Sequence, residues 1–213
     1  MKKKVIVVGR GRGGSLGLAK PRGKPTEESE KGVKKESDLY TPLKNYLDKY
    51  WGPDYEKNYF YSKITATPKG HRRKSGQWSR PDLAIITITS YQYLPNKVLE
   101  VTTIEVKRYA DMSVEAVFEA ASHSKFSHQA YLVVEWITNE DMDPADDEVK
   151  RIFTECQTFG IGLIQMKKEN GSWSYRQIID PKTKIPDPEA CNQFIEQNFK
   201  EQHSQILGAL GKR

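Results

Sequence analysis

The chain has 213 residues, of which 37% are hydrophobic and 29% are charged, a balance that suits one well-buried α/β domain with an unpacked appendage. No apolar run approaches the roughly 18 residues of a membrane-spanning helix, which excludes the membrane-spanning class. The two cysteines, Cys156 and Cys191, fit neither a disulfide framework nor a zinc site, so a reducing, cytoplasmic setting is expected.

Positive charge is concentrated in the first 35 residues, which hold 11 Lys and Arg against 3 Glu, a balance of +8 that leaves −2 for the remainder. Residues 1–35 are predicted to form a flexible basic arm, because Gly-Arg repeats and Pro-bounded turns order poorly and suit a phosphate backbone. A basic arm on a near-neutral domain indicates a polyanionic partner, with DNA the first candidate and RNA not excluded. The arm residues expected to bind nucleic acid are Arg10, Arg12, Arg22 and Lys24.

Two motifs in the arm leave other interpretations open. Residues 9–14 match the dinucleotide-binding pattern G-x-G-x-x-G after an apolar run, but the residues that follow cannot form the helix this motif requires. Residues 21–25 are similar to the AT-hook, a short minor-groove motif, with Lys24 standing where that pattern has a second Arg. A solvated linker is the alternative for the same stretch.

Ordered structure is predicted to begin near Glu36 with an amphipathic helix. Its apolar stripe consists of Leu39, Leu43, Tyr46, Leu47 and Tyr50. Pro42 allows two starts, since either Thr41 caps a helix that begins at the proline or a short turn precedes it. Residues 59–66, rich in aromatic and β-branched side chains, are predicted to form the first strand of a sheet.

A basic segment, residues 68–80, follows this strand and contains five Lys and Arg with no acidic residue. Because it leads directly into Asp82, its charges should lie where a nucleic-acid backbone would approach any site formed there. The residues of this segment expected to bind nucleic acid are Arg72, Arg73, Lys74, Trp78 and Arg80. An ordinary solvated surface is the alternative.

Two strands, residues 80–86 and 101–107, are predicted to pair through a turn at residues 93–97. Side chains alternate between the two faces of a strand, so Glu105 and Lys107 should share a face. If Asp82 lies beside Glu105, two carboxylates converge next to an ammonium group, and two oxygen ligands suit a hard cation such as Mg²⁺. The alternative is a weak surface salt bridge.

Pro81-Asp82 and Glu105-Val106-Lys107 resemble the motif of the PD-(D/E)XK nuclease superfamily, whose fold is restriction-endonuclease-like; the resemblance covers residues 36–137. It implies a metal-dependent hydrolase in which Asp82, Glu105 and Lys107 are catalytic. Asp82, Glu105 and the carbonyl of Val106 would bind Mg²⁺ or Mn²⁺. Lys107 would orient or deprotonate the attacking water and offset the developing negative charge.

The resemblance also draws attention to three glutamates outside the motif. Glu36 would join the catalytic site, because many members of the superfamily carry an acidic residue on the first core helix. Glu119, or less readily Glu115, could contribute from the helix that follows the Glu-x-Lys strand. The alternatives are a carboxylate favoured by the dipole of a helix start and ordinary surface glutamates.

The remaining elements complete an α/β prediction. Asp111 or Ser113 should cap a helix, residues 130–136 read as a strand buried on both faces, and a helix should end at Gly160. A strand over 161–166, a turn at Asn170-Gly171 and a return strand over 173–179 follow, with a helical pattern over 188–210.

The predicted fold is a central mixed β-sheet flanked by helices, with a restriction-endonuclease-like core of order αβββαβ. Residues 36–180 would form this nuclease core, residues 1–35 the arm and residues 181–213 a C-terminal helical extension. The predicted function is a DNA endonuclease of restriction, repair or defence type, which could act as a homodimer. The alternative is a non-catalytic nucleic-acid-binding protein or specificity subunit on the same fold.

Overall fold

A computed structural model describes residues 32–53, 57–66, 80–138, 142 and 146–212, together with the backbone of residues 5–8 and 15–18. Within these ranges, a six-stranded mixed sheet flanked by helices confirms the predicted α/β class. None of the helices in these ranges combines the length and the apolar character that crossing a bilayer requires.

The segment predicted as a basic arm contains two short strands, β1 (Val5–Val8) and β2 (Ser15–Leu18), which pair antiparallel. A dinucleotide-binding fold needs a helix directly after the glycines, and a second strand follows them instead, which argues against that interpretation. The predicted nucleic-acid-binding residues of the arm, Arg10, Arg12, Arg22 and Lys24, lie outside the described residues.

Strands that follow one another in the chain are also neighbours in the main sheet, in the order β3 to β8. Their bounds are β3 (Lys57–Ile64), β4 (Leu83–Thr89), β5 (Val98–Lys107), β6 (Gln129–Trp136), β7 (Gly162–Glu169) and β8 (Ser172–Ile179). Strands β3, β4 and β5 run antiparallel, β5, β6 and β7 run parallel, and β8 returns antiparallel. The two parallel pairs require crossover connections. Helices α2 (Val114–Ser122) and α3 (Asp147–Phe159) supply them.

The first helix, α1 (Tyr40–Tyr50), is preceded by a 3-10 turn over Glu36–Leu39. Of the two starts that the sequence left open, the one with a short turn before the helix is therefore the one found. Pro42 is the third residue of α1, where the main-chain N–H would have no partner within the helix, so proline costs little there. At the other end of the chain, α4 (Pro188–Asn198) and α5 (His203–Leu210) confirm the predicted helical pattern.

The two faces of the sheet are covered by different helices. Helix α1 packs Leu43 and Leu47 on one face, against a cluster that includes Val106. Helices α2 and α3 cover part of the opposite face, and α4 and α5 cover the part formed by β4 and the start of β5. Because alternate residues of a strand point to opposite faces, Glu105 and Lys107 project towards the α2 side of the sheet.

The structure confirms three local predictions. All eight residues of β6 are buried, as expected for a strand covered on both faces. Helix α3 ends at Gly160, whose φ of +65° is the left-handed conformation that glycine adopts without strain. The turn at Asn170 and Gly171 has φ values of +50° and +77°, which match a two-residue hairpin turn of type I′.

Candidate active site

Asp82 lies directly before β4, beside the end of β5, and its carboxylate is held by the main chain of β5. Oδ2 of Asp82 accepts the N–H of Val106 at 2.8 Å, while the N–H of Asp82 donates to the carbonyl of Ile104 at 3.0 Å. The N–H and C=O of one strand residue point to the same side of the strand. The carbonyl of Val106 therefore faces the side of β5 on which the carboxylate of Asp82 lies.

Glu105 and Lys107 lie on the same face of β5, and Lys107 Nζ donates to Glu105 Oε1 at 2.7 Å. Lys107 Nζ also lies 2.6 Å from Glu119 Oε2 on α2 and 3.9 Å from Glu36 Oε2 in the 3-10 turn. The structure thus brings the ammonium group of Lys107 against carboxylates from three different elements. Glu36 and Glu119, two of the three glutamates that the family resemblance singled out beyond the motif, are among them.

Tyr40, the first residue of α1, joins this cluster and was not predicted as a site residue. Its hydroxyl oxygen lies 2.7 Å from Asp82 Oδ1 and 2.7 Å from Glu36 Oε1. The sequence carried one signal for this contact, since Tyr40 follows Glu36 by four residues and helical residues at that spacing are neighbours.

Burial has the largest effect on the pKa values of Asp82 and Glu105. Burial raises the pKa of Asp82, and the hydrogen bonds from Tyr40 and Val106 offset only part of this effect. Burial and the charge of Asp82 raise the pKa of Glu105, against the opposing effect of Lys107. Two buried carboxylates that repel each other are costly to ionise together, and a cation bound between them would reduce that cost.

Lys107 and Tyr40 are both held in their protonated forms. Burial acts to lower the pKa of Lys107, but the charge and hydrogen bond of Glu105, with Glu119 and Glu36, outweigh it and raise that pKa. Burial and the charge of Asp82 raise the pKa of the Tyr40 hydroxyl. A hydroxyl has one hydrogen and donates to one carboxylate at a time, so a proton on one of the carboxyls would satisfy the second short contact.

The donor set fits a small, hard divalent cation. Among the described residues, no group of three or more His, Cys, Asp or Glu side chains is arranged to hold a metal ion. The predicted set is smaller, namely the carboxylates of Asp82 and Glu105 with the carbonyl of Val106, and Mg²⁺ needs only one or two carboxylates because it retains waters and binds phosphate oxygens. Each carboxylate oxygen has two lone pairs, so Asp82 can bind a cation while keeping its hydrogen bonds.

The other predicted residues are only partly described. Arg80 is exposed, and its Nη2 donates to Asn198 Oδ1 at 3.3 Å, which links the approach to Asp82 with the end of α4. Glu115 is exposed, and hydrogen bonds from its own main chain and from Ser113 lower the pKa of its carboxyl. The remaining residues of the basic segment that were expected to bind nucleic acid, Arg72, Arg73, Lys74 and Trp78, lie outside the described residues.

No family model and no curated protein sequence matches this chain. Among solved structures, the chain is similar to the structure of Pyrococcus furiosus SfsA in complex with Ca²⁺, with 11% sequence identity, 86% of each chain covered and a TM-score of 0.34. A TM-score this low supports no inference about function.

Proposed function

We propose that this protein is a nuclease that hydrolyses phosphodiester bonds of DNA with Mg²⁺ or Mn²⁺ as its cofactor. The observation that carries the proposal is the convergence of Asp82, Glu105 and Lys107 at the adjoining ends of β4 and β5, where the charge of Asp82 acts on Glu105 and that of Lys107 acts on both carboxylates. A structural salt bridge needs one acid and one base. This cluster instead places two buried carboxylates beside an ammonium group that stays charged, which is an arrangement suited to phosphate chemistry.

The roles follow from what each group can do. Asp82, Glu105 and the carbonyl of Val106 would hold the cation, which when bound supplies polarisation of the scissile phosphate and a more acidic water. Lys107 has no lone pair while protonated, so it acts as a donor that orients the attacking water and offsets negative charge at the phosphate. Its raised pKa favours this role over that of a general base.

DNA is proposed as the substrate because two segments of the sequence are strongly basic. Residues 68–80 carry five Lys and Arg and lead directly into Asp82, and the first 35 residues carry a balance of +8. Basic segments neutralise backbone phosphates without reading sequence, so they would position a nucleic-acid strand over the carboxylates.

The test is a plasmid cleavage assay with and without Mg²⁺, run in parallel with RNA. We expect cleavage of DNA by the unmodified protein in Mg²⁺, and loss of that cleavage with retained DNA binding in Asp82→Ala and Lys107→Ala. Asp111→Ala is the matched control, because Asp111 is an exposed carboxylate near the end of β5 that pairs with Arg108. Unchanged cleavage by Asp82→Ala or Lys107→Ala would rule out this site.

The ion pair between Lys107 and Glu105 favours a second candidate, because the same contact can serve a purely structural purpose. On that view the protein is a non-catalytic nucleic-acid-binding protein or specificity subunit. The same assay separates the two, since the second candidate retains salt-sensitive DNA binding and produces no Mg²⁺-dependent nicked, linear or degraded plasmid.

A further inference from the structure

Both oxygens of the Asp82 carboxylate accept hydrogen bonds, from donors on two different elements. Oδ2 accepts the main-chain N–H of Val106 on β5 at 2.8 Å, and Oδ1 accepts the hydroxyl of Tyr40 on α1 at 2.7 Å. The χ2 torsion rotates the carboxylate of an aspartate about the Cβ–Cγ bond, and its distribution is broad with no sharply preferred angle. A hydrogen bond to one oxygen restricts that rotation in part, and hydrogen bonds to both oxygens restrict it more tightly.

Tyr40 is itself well placed to act as an anchor. It is 8% exposed and begins a helix whose next turns are fixed in the core by Leu43 and Leu47. The same hydroxyl lies 2.7 Å from Glu36 Oε1, whose other oxygen is 3.9 Å from Lys107 Nζ. Tyr40 therefore links the α1 side of the sheet to the carboxylate of Asp82 and, through Glu36, to the ammonium group of Lys107.

We propose that Tyr40 is a positioning residue whose hydroxyl fixes the orientation in which Asp82 binds a divalent cation. This inference rests on the proposed function, because it takes Asp82 to be a metal ligand. It extends that function to a residue outside the motif, which reaches the cation site through Asp82 and not by direct contact. Groups that orient a ligand in this way commonly change metal affinity by about 10-fold to 100-fold when they are removed.

The experiment compares the unmodified chain with Tyr40→Phe, Asp82→Asn and Tyr46→Phe. Tyr40→Phe removes the hydroxyl and keeps the ring. Tyr46→Phe is the control, because it removes a hydroxyl from the same helix; the ring of Tyr46 stacks on that of Tyr175, with 3.9 Å between the ring centroids. Mn²⁺ binding is measured by titration calorimetry in the absence of DNA. We expect Tyr40→Phe to weaken Mn²⁺ binding about tenfold, Asp82→Asn to remove it, and Tyr46→Phe to leave it unchanged.

A second measurement separates positioning from a general loss of stability. For each variant, the rise in thermal midpoint caused by Mn²⁺ is taken relative to that variant's own metal-free midpoint, because this rise depends on metal affinity. A smaller rise in Tyr40→Phe than in Tyr46→Phe supports positioning. In activity assays, Tyr40→Phe should raise the Mg²⁺ concentration needed for half-maximal rate without changing the KM for DNA.

The possible failures are distinct. If the unmodified chain binds Mn²⁺, Asp82→Asn abolishes binding and Tyr40→Phe binds as the unmodified chain does, the positioning role is wrong and the proposed nuclease site stands. If Asp82→Asn binds Mn²⁺ with unchanged affinity, or the unmodified chain does not bind it, the metal centre at Asp82 fails and the role of Tyr40 fails with it.

Discussion

Lys107 Nζ lies 2.6 Å from Glu119 Oε2, so an ion pair joins the end of β5 to helix α2. Glu105, the other close partner of Lys107, is also a proposed metal ligand, whereas Glu119 is not. Glu119 therefore remains available to hold the ammonium group in place whatever Glu105 binds. This relationship makes Glu119 the side chain best suited to orient Lys107 in the proposed reaction.

Glu119→Gln should slow DNA cleavage while leaving DNA affinity unchanged. Glutamine replaces the ion pair with a hydrogen bond from the ammonium group to an uncharged amide oxygen, which weakens the hold on Lys107, and we expect a loss of about fivefold to tenfold in single-turnover rate. Glu115→Gln is the matched control, because Glu115 lies on the same helix and is exposed. Equal rates for the two variants would show that the ion pair does not matter for the reaction.

Removing the charge of Lys107 should also reduce stability. Lys107→Met would leave Glu105, which is 7% exposed, beside Asp82 with no opposing cation. Allowing for the partial exposure of Glu119 and Glu36, we expect a loss of about 2 kcal/mol in the free energy of unfolding. Lys167→Met is the control, since Lys167 has the same 15% side-chain exposure but pairs with the exposed Glu169. That substitution should cost less than about 1 kcal/mol, and urea denaturation of both variants checks the difference.

The raised pKa of Asp82 predicts an unusual dependence of stability on pH in metal-free protein. A carboxyl whose pKa is raised on folding contributes stability at low pH, and this contribution is lost as the pH rises through the folded-state pKa. Asp82→Asn removes the titration and mimics the protonated form, because its amide can donate to Tyr40 and its oxygen can accept from Val106. The unmodified chain should therefore lose stability relative to Asp82→Asn as the pH rises from about 4, the ordinary pKa of an aspartate, through the folded-state pKa of Asp82, which is about 6.

Thermal unfolding of both proteins with a chelator, between about pH 4 and about pH 8, measures this difference. The expected result is that Asp82→Asn has the higher midpoint near neutral pH although we expect it to be inactive, which is the usual conflict between stability and function at a charged site. A relative gain in the stability of the unmodified chain with rising pH would contradict the raised pKa. Added Mg²⁺ should stabilise only the unmodified chain.

The strand pair that carries the site could be predicted from the sequence because its physics is local. Alternation along a strand places Glu105 and Lys107 on one face wherever the strand lies, and a short connection makes the strands before and after it pair antiparallel. Asp82 then falls beside the end of β5. These rules depend on neighbouring residues and need no knowledge of how distant helices pack.

The contacts of Tyr40 and Glu119 could not be predicted in the same way. Tyr40 meets Asp82 across 42 residues of sequence, and that contact depends on where α1 lies on the sheet. Glu115 and Glu119 are four residues apart and lie one turn apart on the same side of α2, so the position of β5 along the axis of that helix decides which of them reaches Lys107. Both choices are made by packing between elements, and hydrophobic periodicity does not report them.

The folded body begins before Glu36, the residue at which the sequence predicts it to begin. Contacts between residues that are far apart in the sequence show this. The N–H of Val33 donates to Glu135 Oε1 at 2.7 Å, and Arg108 Nη1 donates to the carbonyl of Lys34 at 2.8 Å. Glu135 is 3% exposed and also accepts the N–H of Tyr109, so it anchors the chain just before Glu36. The predicted arm of residues 1–35 therefore includes residues that pack against the body.

Deletion of residues 1–31 should weaken DNA binding and leave the catalytic step intact. This deletion removes nine Lys and Arg and three Glu, and each lost phosphate contact should reduce the slope of log affinity against log salt by about 0.9. Single-turnover cleavage at saturating protein should be unchanged, because Glu36, Tyr40 and their contacts are retained. A nucleotide-dependent enzyme that used the glycines of residues 9–14 would instead lose all activity.

Deletion of residues 1–35 is the comparison that tests the anchor. It removes the N–H that Val33 donates to the buried carboxylate of Glu135. Compared with the shorter deletion, this loss should lower the free energy of unfolding by about 1–2 kcal/mol. It also leaves Glu36 at the very start of the chain, where its contacts with Tyr40 and Lys107 are no longer supported. We therefore expect the longer deletion to lower both the thermal midpoint and the cleavage rate, and the shorter one to lower only salt-sensitive affinity. Equal midpoints for the two deletions would show that the contact with Glu135 does not stabilise the body.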